Sequence, residues 1–163
     1  MAFDSFIKID GIKGEAADSK HKEEIEVFSF SWGESQSGSH VTGGGGGAGK
    51  VSVQDFHFTK KTDKASGNLM SFCATGKHIK EVNFAVRKAG GEQLDFLKIK
   101  FTDVLVSSYQ TSGSSDSKDD VPMESISLNF TKIEYDYQEQ GADGKAKGGP
   151  VKGSWNVKTN NPV

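Results

Sequence analysis

The chain is sparing with several things. It holds one cysteine, Cys73, in 163 residues, so no internal disulfide framework can staple it together. Its three prolines exclude a collagen-like or proline-rich linker architecture. No apolar run approaches the ~18 residues of a spanning helix, and membrane insertion is not expected. Lys plus Arg number 20 against 22 Asp plus Glu, a formal net charge of -2. A balance that near neutral does not mark a general polyanion binder, so nucleic acid is not an expected partner. The opening residues, MAFDSF, show no basic segment followed by an apolar core. The expectation is that any export proceeds without a cleaved signal peptide.

Glycine is abundant: 20 residues, well above the usual ~7%. The glycines gather at 43–47 and 49, at 90–91 and between 141 and 153. Between these clusters the apolar residues alternate with period two, the pattern of half-buried strands. Phe28, Phe30 and Trp32 form one such face, and Val82, Phe84 and Val86 another. Leu97, Ile99 and Phe101 form a third, and Ile126, Leu128 and Phe130 a fourth. The spacing predicts strands near 3–11, 24–32, 50–60, 78–88, 94–106, 124–138 and 151–158. Two runs change phase: Val51 and Val53 precede Phe56 and Phe58, and Phe130 precedes Ile133, Tyr135 and Tyr137. A β-bulge, or a strand passing from one sheet to another, produces such a step. The length corresponds to one domain over 1–163.

Residues 63–74 break the alternation. Ala65, Leu69, Phe72 and Cys73 recur at helical spacing and predict one short helix, with Thr62 or Asp63 capping its start and Gly76 ending it. Residues 33–49, 110–121 and 139–150 lack periodicity. The first two read as exposed and mobile.

The chemical motifs are weak. Gly44 to Lys50 satisfies the G-x-x-x-x-G-K part of a phosphate-binding loop, but Val51 follows instead of Ser or Thr and a strand follows instead of a helix. A glycine-rich hairpin arm is the better reading, its bare backbone suited to close packing. The four histidines, His21, His40, His57 and His78, form no metal motif. The carboxylates Asp116, Asp119 and Asp120 lack the spacing of a calcium loop and read as a solvated acidic segment. Lys60, Lys61 and Lys64 form a small basic cluster. No serine-centred nucleophile elbow is present, so no cofactor and no catalytic residue is expected. Self-assembly accounts for the pattern better than catalysis does. A soluble β-sandwich module binding a carbohydrate or another ligand is the alternative.

Over essentially its whole length the chain resembles the hemolysin-coregulated protein family, Hcp, the tube proteins of type VI secretion. The resemblance runs through FIKIDGIKGE at 6–15, FSWGESQSG at 30–38, GGGGGAGKVSVQDFHFTK at 43–60, NLMSFCATGKHI at 68–79, VRKAGGEQLDFLKIKF at 86–101 and LNFTKIEYDYQ at 128–138. It implies a β-barrel of two packed antiparallel sheets with one short flanking helix and an extended glycine-rich loop. It also implies a non-enzymatic subunit of homo-hexameric rings that stack on one another, tipped by a trimeric spike protein and driven by a contractile sheath. Such rings carry small effector proteins, and the protein passes from the bacterial cytoplasm to the medium or a target cell. The expected ring-stacking loop is Gly43, Gly44, Gly45, Gly46, Gly47, Gly49 and Lys50. Ser66, Asn68 and Ser71, on the helix's polar side, are expected to contact the lumen or its cargo. Ser31, Gln54, His57 and Arg87 are expected to point outward from their strands.

Overall fold

An alternating strand is stable only where its apolar side is covered. The computed structural model, which describes the backbone of residues 3–39, 47–88 and 93–163, shows how this chain covers the main apolar faces of its strands at once. The strands are β1 (Phe3–Ile9), β2 (Ile25–Val27), β3 (Ser29–Ser31), β4 (Glu34–Ser35), β5 (Gly38–Ser39), β6 (Gly47–Ala48), β7 (Ser52–Val53), β8 (Phe56–Lys61), β9 (Ile79–Lys88), β10 (Asp95–Ser112), β11 (Met123–Tyr137) and β12 (Val151–Asn156). One helix, α1 (Ser66–Thr75), lies between β8 and β9.

The main sheet runs β2-β1-β9-β10-β11-β8-β3, with β12 beside β11, and every pairing is antiparallel. Its two ends are consecutive in the chain. β2 pairs with β1, β3 pairs with β8, and the Phe28 amide between them donates to Thr59 O at 2.8 Å. One kinked strand therefore closes the sheet on itself, as a barrel requires.

β10 and β11 turn the opposite corner. The first part of β10, up to Val104, pairs with β9; the remainder pairs with β11 alone. β11 pairs with β8 over Met123–Leu128 and with β12 over Lys132–Tyr137. One layer thus holds β2, β1, β9, the start of β10, the end of β11 and β12. The facing layer holds the end of β10, the start of β11, β8 and β3.

The phase change expected in 126–137 sits at this corner. Phe101 opposes Ile133, Val104 opposes Phe130, and all four are buried. Both strands switch their core-facing residues by one position there. Asp103 absorbs the step on β10 with a φ of 51°, a left-handed backbone unusual for a residue with a Cβ. The Thr131 hydroxyl crosses the corner to donate to Thr102 O at 3.1 Å.

At the other corner the expected face of Phe28, Phe30 and Trp32 splits. Ile25 and Val27 are buried, Phe28 is 59% exposed, and Phe30 packs back onto the core. The kink between the layers inserts Phe28 as the step, so it cannot share a face with Phe30. The strand expected at 50–60 is interrupted between β7 and β8, and the strand expected to end at 106 continues to Ser112.

The core is a chain of aromatic rings. Phe56 lies 4.9 Å from Phe101, 5.1 Å from Phe84 and 6.1 Å from Phe30, and Phe101 lies 4.9 Å from Phe130. Separations of 4.5–7 Å are those of favourable tilted pairs. Helix α1 buries Leu69 and turns Phe72 and Cys73 toward this core. It ends as expected at Gly76, whose φ of 65° lets its amide reach Phe72 O. Its start departs from the expected Thr62 or Asp63 cap: the N-cap position is Ala65, which makes no side-chain cap bond, and the Asp63 carboxylate instead accepts from the Ala65 amide at 2.9 Å in the turn before the helix.

Candidate assembly surfaces

The arm comes first in the chain. β4 pairs with β7, matching Glu34 to Val53 and Ser35 to Ser52. β5 pairs with β6, matching Gly38 to Ala48 and Ser39 to Gly47. Residues expected to be mobile thus form a two-step ribbon outside the main sheet, because backbone pairing needs no side-chain periodicity. Gly49 has a specific role in it. A Cβ there would lie 2.6 Å from Ser37 Oγ and 2.8 Å from Ser37 O, so the two sides of the arm approach this closely only with glycine. Gly47 contributes its backbone to β6, and Lys50 is exposed. Gly43, Gly44, Gly45 and Gly46 lie outside the described residues. Lys50 leads into strand β7, which removes the helix start that a phosphate-binding loop uses.

The layer of β3, β8 and the start of β11 presents an outer face whose two central rows carry no charged side chain. Register aligns Ser29, Thr59, Ser125 and Gln110 in one row and Ser31, His57, Ser127 and Ser108 in the next. The hydroxyls of Ser29 and Thr59 meet at 2.6 Å, and His57 Nδ1 meets Ser127 Oγ at 2.5 Å. Beyond the second row the Asp55 carboxylate accepts from Ser107 Oγ at 2.6 Å and Asn129 Nδ2 at 2.9 Å. Ser31, Gln54 and His57 are exposed as expected, with Gln54 at the arm's root.

The other layer presents a charged face. Its rows run Lys8, Asn83, Lys100, Glu134, Ser154 and, alongside, Ala85, Lys98, Asp136, Lys152. Lys100 Nζ lies 3.1 Å from Glu81 Oε1 and Lys152 Nζ lies 3.9 Å from Asp136 Oδ2. Hydrogen bonds from Asn83 and Lys100 hold the Glu81 carboxyl below its ordinary value, and Glu81 raises Lys100 in return.

Helix α1 is fixed by a buried polar network. Lys60, one of the small basic cluster of Lys60, Lys61 and Lys64, is fully buried. Its Nζ lies 2.7 Å from Glu124 Oε1 and 2.9 Å from Asp63 Oδ1, and donates to Ser66 Oγ at 3.2 Å. Burial would raise the Glu124 carboxyl, but hydrogen bonds led by that of Lys60 outweigh it and hold the group below its usual range. Burial, followed by the Glu124 carboxylate, pushes the neighbouring Tyr109 phenol up. Ser66, one of the three helix residues singled out in the sequence, belongs to this network, since its Oγ also accepts from the Asp63 amide at 3.0 Å. Asn68 and Ser71 are exposed.

Arg87 corrects an expectation. It is 5% exposed rather than outward-facing, because the loop between β1 and β2 folds over it. Its Nη1 donates to Asp18 Oδ1 at 3.0 Å and its Nη2 to Asp18 Oδ2. The hydrogen bond from Arg87 is the main reason the Asp18 carboxyl falls to about 2. Alternation alone could not reveal this, since the covering loop comes from a distant part of the chain.

Residues 6–137 match the family model described as "Type VI secretion system effector, Hcp". The chain is 53% identical over 161 residues to Protein hcp1 of Pseudomonas aeruginosa, covering 98% of each. A solved structure described as a type six secretion system protein superposes with a TM-score of 0.93 at 35% identity, over 99% of this chain and 100% of that one. Hcp1 of Salmonella typhimurium superposes at 0.81 with 37% identity over the full length of both.

Proposed function

Because the chain belongs to the Hcp family of type VI secretion and is a structural tube subunit that forms hexameric rings rather than an enzyme, we propose that its two outer faces have opposite assignments in the tube. The face of β3, β8 and β11 that carries the two uncharged rows lines the channel. The charged face of β1, β9, β10, β11 and β12 turns outward toward the contractile sheath.

The observation that carries this reading is the contrast between the faces. A channel that passes folded cargo of varied charge is best lined by short hydroxyl side chains, which neither protrude nor attract one sign. Ser29, Ser31, Thr59, Ser125 and Ser127 provide such a lining. Alternating Lys and Asp or Glu rows suit an outer partner recognised by register, since complementary charge fixes orientation more than affinity. The arm that carries Gly43 to Gly47, Gly49 and Lys50 makes the ring-to-ring contact, a head-to-tail interface that can repeat without closing. Asn68 and Ser71 on α1 contact the lumen cargo, while Ser66 holds the helix in place. The trimeric spike protein caps the stack, and small effectors ride inside it from the cytoplasm to the outside of the cell.

The test places charge on each face separately. Thr59→Glu with Ser125→Glu is expected to leave ring mass unchanged and to change which effectors co-purify with the rings. Lys98→Glu with Lys152→Glu is expected to leave cargo unchanged and to weaken sheath assembly on preformed tubes. The reverse pattern would invert the assignment, and no effect from either pair would remove it.

A further inference from the structure

The loop from Gly14 to Glu24 crosses the outer surface of β1 and β9 and holds to itself by a few backbone hydrogen bonds. Gly14 N–H donates to Glu23 O at 2.8 Å and Ala16 N–H to Glu24 O at 2.9 Å. His21 is the loop's most enclosed polar residue, 6% exposed. Its ring stacks on Phe6 of β1 at 4.4 Å and 8°. Its Nδ1 lies 3.0 Å from both Oε1 and Oε2 of Glu24, and its Nε2 lies 3.0 Å from Asp95 Oδ1 at the start of β10.

A neutral imidazole carries one N–H and one bare lone pair. With a carboxylate at each nitrogen, a bare lone pair on either one would face a negative oxygen within hydrogen-bond distance. Only the imidazolium, with two N–H groups, satisfies both partners. We infer that His21 is a doubly protonated clamp between Glu24 and Asp95, and that proton loss from its ring releases the 14–24 loop from the start of β10.

The charges around the clamp leave His21 as the switching group. Its own loop contributes Glu24, Asp18 and Lys20. Asp18 is tied to Arg87 of β9, and Lys20 Nζ donates to Gln93 O at 2.7 Å. From β9, Arg87 lies over the Phe6 ring at 5.0 Å. From β10 come Asp95 and, along the adjoining groove, Lys98; Lys8 of β1 lines the same groove. Among these groups only the imidazole has two ring nitrogens held between carboxylates, so its second proton decides whether both contacts have a donor. The sign follows directly. The clamp is closed while the ring carries both protons, and it opens when a proton is lost and one carboxylate is left without a donor.

Hydrogen exchange read by mass spectrometry on the intact assembled protein tests this. Protection factors, corrected for the intrinsic rate at each pH, are compared at about pH 5.5 and about pH 9. Peptides from 14–24 are expected to lose about tenfold protection at the higher pH, the scale of one charge-assisted hydrogen bond, while peptides from the β10–β11 corner keep theirs. His21→Gln is expected to show the low value at both pH values, and His21→Arg, permanently charged, to lose the pH response. Equal wild-type protection of the loop at the two pH values overturns the inference, and so does a pH response that survives in the Gln variant. The wild-type comparison stands without any variant, so a variant that fails to fold does not remove the test.

Discussion

Two charged residues of this chain point to opposite lessons about burial. Lys60 and Arg87 both sit in strands whose alternation looks ordinary, and both are almost inaccessible. Lys60 is tolerated because Glu124, Asp63 and Ser66 surround its ammonium. A buried pair of this kind adds little net stability, but removing one partner strands the other. Lys60→Met, which leaves Glu124 unpaired, is expected to cost about 3–5 kcal/mol by chemical denaturation, and Lys60→Met with Glu124→Leu to recover much of that loss. Asp18 gives the complementary pH prediction. Its folded value of about 2 lies below its ordinary 3.8. A carboxylate depressed in this way stabilises the fold above the ordinary value and ceases to do so as pH falls toward the folded one. Wild-type stability is therefore expected to fall over about pH 4 to about 2 more steeply than that of Asp18→Asn, as read by thermal melts across that range.

At the scale of elements, the strands follow from alternation and the corners do not. The C-terminal end of β8 and the run of β9 are where period two places them, because one face of each meets the aromatic core. The switch at Asp103 carries no glycine or proline to announce it, since the left-handed step is taken by an aspartate. The loop before β2 depends on a contact equally silent in the sequence. A Cβ on Gly14 would lie 2.4 Å from Glu24 O, a backbone atom that cannot swing aside, whereas a Cβ on Gly153 of β12 would meet nothing within 4 Å. Gly14→Ala is expected to destabilise by about 1–3 kcal/mol, and Gly153→Ala to stay within about 0.5 kcal/mol, both read from denaturation midpoints. The helix was legible to within a few residues, because Leu69, Phe72 and Gly76 carry its spacing and its stop. The network that anchors it was not, because Lys60 and Glu124 are 64 residues apart and meet only through strand pairing.

At the scale of the molecule, a subunit of 17.5 kDa functions as a ring of six. If the arm joins rings and not neighbours within a ring, its geometry can be broken without breaking the hexamer. Gly49→Val, which places side-chain atoms against Ser37, is expected to leave a native mass of six subunits and to abolish stacked tubes in electron micrographs. Loss of the hexamer would place the arm within the ring instead, and normal tubes would show that the arm plays no part in stacking.

What the sequence determined by itself was what travels with local pattern: an all-β chain with one short helix, an arm rich in glycine, little catalytic chemistry, and a resemblance long enough to name the family. Each of these depends on residues close together in the chain. Tertiary structure decided which faces are charged and which are not, that the strand at 25–31 kinks to close the barrel, and that Lys60, Arg87 and His21 are enclosed. Those outcomes depend on register and on loops folding over distant strands. Cross-strand neighbours such as Ser29, Thr59 and Ser125 become one surface only after hydrogen bonding sets them side by side, and alternation along a single strand cannot say what will cover it.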